Sequence, residues 1–292
     1  MPAGVEAVAR VGATLGEGPA WFGGALWFVD IKAPAIYRFD PAGGALDRWS
    51  APDQLGWVLP ADDGSIIAGL KGGLHRFDPA SGGFNRIVAV ENERPHNRLN
   101  DATVDAAGRL WFGSMDDGEQ RRTGAIYRLD AGRVVRVIDG IAITNGPAVS
   151  PDGRTLYHND TLGGAIFVST LSADGSLSGT RIFARIDPAD GYPDGPTVDA
   201  EGCLWVGLFG GWGVRRYAPD GALIATVRLP VANVTKIAFG GPGLATAYAT
   251  TAAKGLSAAD RVAQPHAGDL FAFDPGVAGA AIPPIAARTL PA

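Results

Sequence analysis

Three tripeptides in this sequence place an oxygen-bearing side chain before Gly-Pro: Glu17-Gly18-Pro19, Asn145-Gly146-Pro147 and Asp194-Gly195-Pro196. Two carboxylates and an amide, with no Cys or His among them, are the donors a hard divalent cation takes, with water completing its shell. The Gly-Pro half has a plain explanation, since it marks entry into a strand, where proline is tolerated at the first residue. The residue in front has none, because a turn accepts Ser, Lys or Thr as readily. On position alone, a cation site and a solvated polar ring both stay open.

Other chemistries find less support. The four histidines (His75, His96, His158 and His266) form no H-E-x-x-H pair, and no G-x-S-x-G nucleophile turn occurs, which disfavours a Ser-His-Asp hydrolase. Phe209-Gly210-Gly211-Trp212-Gly213 lacks the Lys-Ser/Thr ending of a phosphate loop and reads as a tight turn, with Phe209 and Trp212 placed to wall a pocket. The one cysteine, Cys203, has no internal disulfide partner and, in Cys203-Leu204-Trp205-Val206, reads as a small buried strand residue.

The elements that must position these groups are set by a repeat. An apolar phrase (Ala25–Val29, Ser65–Gly69, Arg109–Gly113, Thr155–His158, Cys203–Gly207, Ala245–Ala249) returns six times at intervals of about 40 to 48 residues. Each copy is followed by an amphipathic one, as in Ile36–Asp40, Leu74–Asp78 and Ile126–Asp130. Units of that length, with several short strands and turns such as Asp40-Pro41 and Asp220-Gly221, predict an all-β fold: a six-bladed β-propeller of four-stranded antiparallel blades. A β-sandwich also has short strands, but it has no reason to repeat one phrase six times. Because one blade cannot bury its faces alone, residues 1–292 are expected to form a single propeller domain. Closure is expected from a strand near Glu6–Val11 paired with one near Ile282–Leu290, and a short helix over Ser257–Gln264.

In a propeller the strand before each apolar phrase lines the central channel. Ten to twelve residues before the third residue of each apolar phrase stand Glu17, Trp57, Asn100, Asn145, Asp194 and Lys236, which rotational repetition places on one ring at one mouth. Lys236 reads either as an oxyanion-stabilising cation or, more simply, as a counter-charge to the two carboxylates.

Composition narrows the classes further. With 42 Gly, 21 Pro, 46% apolar and 19% charged residues, the chain is neither helical nor disordered, and a net charge of −5 without a basic stripe argues against nucleic acid. The opening MPAGVEAVAR has no apolar export core and no stretch reaches membrane-spanning length, so a cytoplasmic protein without a membrane partner is expected. Asn233-Val234-Thr235 fits a glycosylation acceptor, a match that is idle without export. Oligomeric state is not legible.

Four phrases, Leu15-Gly16-Glu17-Gly18-Pro19-Ala20-Trp21, Asn97-Arg98-Leu99-Asn100-Asp101, Thr144-Asn145-Gly146-Pro147 and Tyr192-Pro193-Asp194-Gly195, stand in the order in which a known family carries them. The chain resembles, over essentially its whole length, the family of senescence marker protein (regucalcin), gluconolactonase and luciferin-regenerating enzyme, six-bladed propellers whose characterised enzymes are mostly metal-dependent sugar lactonases. The resemblance implies Glu17, Asn145 and Asp194 as ligands of one divalent metal ion, with Ca²⁺, Mn²⁺, Mg²⁺, Zn²⁺ and Fe²⁺ not distinguished. It implies Arg98 and Asn100 as substrate-contacting residues and Asp194 also as the catalytic base, although a bound cation lowers a carboxylate's basicity. Without it, Arg98 reads as a surface ion pair with Glu91 or Glu93. Asp101 reads equally as a turn former or as a support behind the ligands.

The stretches Trp111–Glu119 and Leu208–Gly213 look like those of bacterial members acting on pentose-derived aldonolactones. The expected reaction is therefore hydrolysis of a sugar lactone, xylono- or arabinono-lactone before a six-carbon one, to the aldonic acid. A cation would polarise the ring carbonyl or make water more acidic. The alternatives are gluconolactonase, a broad lactonase or phosphotriesterase on the same scaffold, and a non-catalytic calcium-binding propeller.

Overall fold

The computed structural model describes residues 4–291 and forms six four-stranded antiparallel sheets. Blade 1 comprises Gly16–Phe22, Ala25–Asp30, Ala35–Asp40 and Ala45–Ser50; blade 2, Leu55–Pro60, Ile66–Leu70, Gly73–Asp78 and Gly83–Ala89. Blade 3 comprises Asn97–Val104, Leu110–Asp116, Gly124–Asp130 and Arg133–Ile141; blade 4, Thr144–Val149, Thr155–Asp160, Ala165–Leu171 and Leu177–Arg185. Blade 5 comprises Tyr192–Val198, Leu204–Phe209, Gly213–Tyr217 and Leu223–Arg228, and blade 6 Val234–Gly240, Thr246–Thr251, Leu270–Phe273 and, from the other end of the chain, Glu6–Ala9. The first strand of every blade packs against the first strands of both neighbours, which closes a six-membered ring. The chain is thus a six-bladed β-propeller.

Burial follows position in the blade. The first two strands are almost wholly buried, whereas the outermost, such as Ala45–Ser50, expose most of their residues. Between blades the core is built around large aromatics: Trp111 and Trp205 of the repeated phrase and Trp57 of the inner strand of blade 2 are at most 1% exposed, and Trp205 meets Phe239 of the next blade edge-on at 6.0 Å.

Two hairpins of blades 3 and 5 share one aspartate-centred device. Asp105 accepts from the backbone N–H groups of Ala107 and Arg109 and from Trp111 Nε1. Asp199 does the same with Glu201, Cys203 and Trp205 Nε1. Cys203 lies on this turn just ahead of the strand, buried, and burial pushes its thiol pKa up. The short helix is present as Ala258–Ala263, with Ser257 capping it in a box with Asp260.

Closure differs from expectation. Glu6–Ala9 pairs antiparallel with Leu270–Phe273, and Asp269 Oδ1 accepts from the N–H groups of Val11 and Gly12. The run near Ile282–Leu290 is no strand: Pro283 and Pro284 cannot donate to a ladder. It crosses the channel end instead, Gly279 bridging Asp199, Ile285 bridging Ala61 and Ala286 N–H donating to Gly108 O. Among the described residues, no helix is long and apolar enough to cross a membrane.

Candidate functional site

In all six blades the register between the first and second strands slips at the same place: between Glu17 and Ala20, Leu55 and Trp57, Leu99 and Ala102, Asn145 and Ala148, Pro193 and Pro196, and Val234 and Lys236. These are β-bulges, which bend the strand and re-aim the residue at the kink. The three Gly-Pro pairs sit at these bulges, inside the strands rather than at their starts. Each glycine is required there. Gly18 and Gly146 have positive φ, and a Cβ at Gly195 would fall 2.6 Å from Lys236 side-chain atoms.

The bulges bring Glu17, Asn100, Asn145 and Asp194 together, with Arg98, on a cavity of about 220 Å³ at one channel end. Leu15, Met115, Ile143, Leu162, Tyr192 and Phe209 form its apolar walls, and Thr161, Glu119 and Lys254 add polar groups. Two ring members are absent from it. Trp57 turns into the core over Gly69, and Lys236 lines two cavities of about 280 and 150 Å³ at the other end of the channel. Phe209 is a wall, as its sequence position suggested, but Trp212 projects to solvent.

Lys236 Nζ donates to Asp101 Oδ1 at 2.5 Å, so its counter-charge role is the one the structure shows, toward a carboxylate the ring argument did not include. Asp101 forms no turn: buried within its strand, it accepts from Gly146 N–H through Oδ2 at 2.9 Å and so fixes the backbone beside Asn145.

Arg98 is not a surface residue. It is 3% exposed and donates from Nε to Asp117 Oδ1 (2.9 Å) and from Nη1 to Asn100 Oδ1 (2.5 Å). Asp117 is held in turn by Lys32 Nζ and Gln54 Nε2. Glu91 is occupied elsewhere, by Asn97, Ser114 and Tyr127.

The polar chain continues and orients the key amide. Asn100 Nδ2 donates to Thr144 O and to Asn145 Oδ1, while Asn145 Nδ2 donates to Thr161 Oγ1, whose own hydrogen goes to Pro193 O. Because Thr161 spends its hydrogen on Pro193, it can only accept from Asn145, and this assigns the Asn145 oxygen to the other side.

Glu17 and Asp194 are buried, 4% and 5% exposed, and close enough for a side-chain hydrogen bond. Burial, then the neighbouring Asp101 charge, push the Glu17 carboxyl up to about 7. Burial, then the charge of Glu17, hold Asp194 well above the usual carboxylate range. Two buried carboxylates that repel are relieved by a shared proton or by a cation. The donor set, two carboxylates and an oriented amide oxygen, fits a hard divalent cation. Among the described residues, no three His, Cys, Asp or Glu side chains converge, so the amide is needed to complete such a set. Thr161 and Lys254 carried no sequence signal, because each lies on an irregular connection outside the repeated phrases, and Asp117 and Glu119 fell within the Trp111–Glu119 stretch without a role of their own.

The fold and this mouth define a class: a six-bladed propeller with an oxygen-donor cluster under a sugar-sized cavity. Residues 15–253 match the SMP-30/Gluconolactonase/LRE-like region, and the chain belongs to that family. It is 38% identical over 275 residues to the L-arabinolactonase of Azospirillum brasilense, covering 92% of this chain and 91% of the relative. It is 33% identical to the 6-deoxy-6-sulfogluconolactonase of Pseudomonas putida, covering 96% and 97%. The crystal structure of regucalcin from Agrobacterium tumefaciens, described as a calcium-binding protein, superposes with a TM-score of 0.91 at 28% identity, covering 97% of each chain.

Proposed function

We propose that this protein is a sugar lactonase that takes a five-carbon aldonolactone, arabinono- or xylono-lactone, and depends on a divalent cation held by Glu17, Asn145 and Asp194. The observation that carries the reading is the pair of buried, mutually repelling carboxylates beside an oriented amide oxygen, all lining one cavity at the channel mouth. Similarity to curated lactonases supports the reaction class, and 38% identity to an L-arabinolactonase supports the pentose preference. Cavity size agrees, since 220 Å³ is the volume of about seven waters, the scale of a single sugar ring.

The cation, when bound, would draw charge from the lactone carbonyl and make water more acidic. Arg98 and Asn100, which lie on the same cavity, are placed to hydrogen-bond ring hydroxyls and orient the carbonyl. Asp194, which lies on the same cavity, takes the proton of the attacking water; a cation on it would lower its basicity and would make the water correspondingly more acidic. Water adds to the carbonyl, the ring C–O bond breaks, and the released alkoxide collects the proton to give the open hydroxy acid. The apolar walls from Leu15, Met115, Ile143 and Phe209 limit competing bulk water. We also propose that the chain works as one domain in the cytoplasm.

A panel of sugar lactones and simple esters, assayed for acid release with and without chelator, tests the reading. Chelator-sensitive turnover highest on pentonolactones is expected. Preference for six-carbon lactones would move the protein to gluconolactonase, and turnover of phosphotriesters or simple esters would make it a broad hydrolase. Inactivity on every ester with cation still bound would leave a non-catalytic cation-binding propeller, a reading that the calcium-binding solved relative also supports.

A further inference from the structure

Lys254 lies just past the last repeated phrase, on the loop leaving the second strand of blade 6, and its side chain lines the same cavity as Glu17 and Asp194. Its backbone is fixed at both ends, the N–H donating to Thr14 O at 2.8 Å and the carbonyl accepting from Asn233 Nδ2 at 2.9 Å. Its ammonium is bonded to Glu119 Oε1, which reaches across from blade 3, 135 residues away in sequence. Glu119 holds a positive φ of 59°, rare outside glycine, at a turn closed by its N–H to Asp116 O. An ion pair between two fixed loops spans the cavity edge, and both partners are about one-third exposed. A lysine has three donors, of which Glu119 takes one.

We propose that Lys254 is a specificity-determining residue that donates a hydrogen bond to a hydroxyl on the lactone's exocyclic carbon, the end away from the carbonyl. The inference rests on the lactonase reading. Charge pairing around Lys254 sets the ligand class: its ammonium is bonded to Glu119 and also acts on Asp194, so it faces carboxylates and has no spare charge for an anionic tail, while Arg98 shares Asp117 with Lys32. A neutral, hydroxylated tail fits; a carboxylate or sulfonate there meets Glu119. Glu119 is a positioning residue that holds the ammonium over the cavity.

The test compares Lys254→Met, Lys254→Arg and Glu119→Gln with wild type on three lactones of one ring size: hydroxymethyl-bearing, its deoxy methyl analogue, and an analogue with an anionic tail. Lys254 is partly exposed, and thermal melts of the variants confirm folding. Losing a charged donor should lower kcat/KM of Lys254→Met on the hydroxymethyl lactone about ten-fold or more, chiefly through KM, and change the deoxy analogue less than about two-fold. Lys254→Arg should recover most of the preference, and Glu119→Gln should lose part of it. Equal losses on hydroxylated and deoxy lactones, or wild-type preference for the anionic tail, would overturn the role of Lys254 while leaving lactonase activity standing. A wild-type protein inactive on all lactones would overturn the lactonase reading itself, and this inference with it.

Discussion

At the residue scale, the chemistry rests on a few side chains whose partners are already committed. Asn145 has its nitrogen tied to Thr161, and Arg98 and Asn100 form a hydrogen-bonded pair leading to it, so the proposed cation site and the proposed substrate wall share one polar chain. Glu17→Gln, Asn145→Ala and Asp194→Asn are each expected to lose cation affinity and lactone turnover while keeping the β-sheet circular dichroism, the two carboxylate changes most strongly. An Asp194→Asn protein with full metal content and rate would refute the assignment. Arg98→Ala should cost about 1–3 kcal/mol in the specificity constant on hydroxylated lactones and less on an unfunctionalised one. Metal titration of that variant should stay near wild type, since Asp117 keeps Lys32 and Gln54 and no charge is stranded. The pH dependence has a definite sign. Glu17 binds its proton more tightly in the folded state, about 7 against an ordinary 4.5, so this contribution to stability is present below about 4.5 and is lost as pH rises toward 7. Cation-free protein should therefore melt at lower temperature at pH 8 than at pH 5. Added Ca²⁺ or Mn²⁺ should raise the melting temperature more at pH 8, and a cation effect that is flat across this range would count against the site.

At the element scale, the recurring unit is a bulged inner strand joined to an apolar second strand. The bulge turns one side chain per blade out of the ladder, and in blades 1, 4 and 5 the Gly-Pro that follows tolerates the kink. The hairpins after the inner strands of blades 3 and 5 are stapled by Asp105 and Asp199, which occupy equivalent places in Val104-Asp105-Ala106-Ala107-Gly108-Arg109-Leu110-Trp111 and Val198-Asp199-Ala200-Glu201-Gly202-Cys203-Leu204-Trp205. Asp199 is 0% exposed and also receives Arg216 Nε. Asp199→Ala would leave Trp205 Nε1, two backbone N–H groups and much of Arg216 without their acceptor, at a cost of about 3–5 kcal/mol. Denaturant titration should show a lower midpoint with turnover intact in the folded protein, because the staple lies away from the cavity; an unchanged midpoint would show that water replaces it.

At the scale of the whole molecule, stability depends on the ring being closed. Glu6–Ala9 supplies the outermost strand of blade 6, and Asp269 ties the segment after it by two backbone bonds. Removing the chain through Ala9 bares the edge of Leu270–Phe273, a template for pairing with another chain. The truncated protein should melt at least about 4 °C lower and scatter more light on warming. Melting and scattering equal to the full chain would show that closure does not depend on this strand. The carboxyl-terminal run plays a different part, lying across the opposite channel end where Ala280–Pro283 wall the two cavities that Lys236 enters.

The sequence by itself determined the fold class, because six copies of one apolar phrase cannot be satisfied except by rotational stacking, and it singled out Glu17, Asn145 and Asp194, because equivalent places in a repeat share one environment. What it could not determine is which way each ring residue points. Lys236 and Trp57 occupy ring positions, but Lys236 turns toward Asp101 and Trp57 into the core, and both leave the mouth. From its residue type alone Arg98 reads as a surface ion pair, and only the family resemblance pointed it to substrate; tertiary contacts bury it and set Asp117, nineteen residues on, against its guanidinium. Blade closure, the crossing of the carboxyl-terminal run and the Lys254–Glu119 pair join residues distant in sequence through irregular loops. Periodicity reports which faces are buried, and only the folded chain decides which polar groups from different blades meet in one cavity.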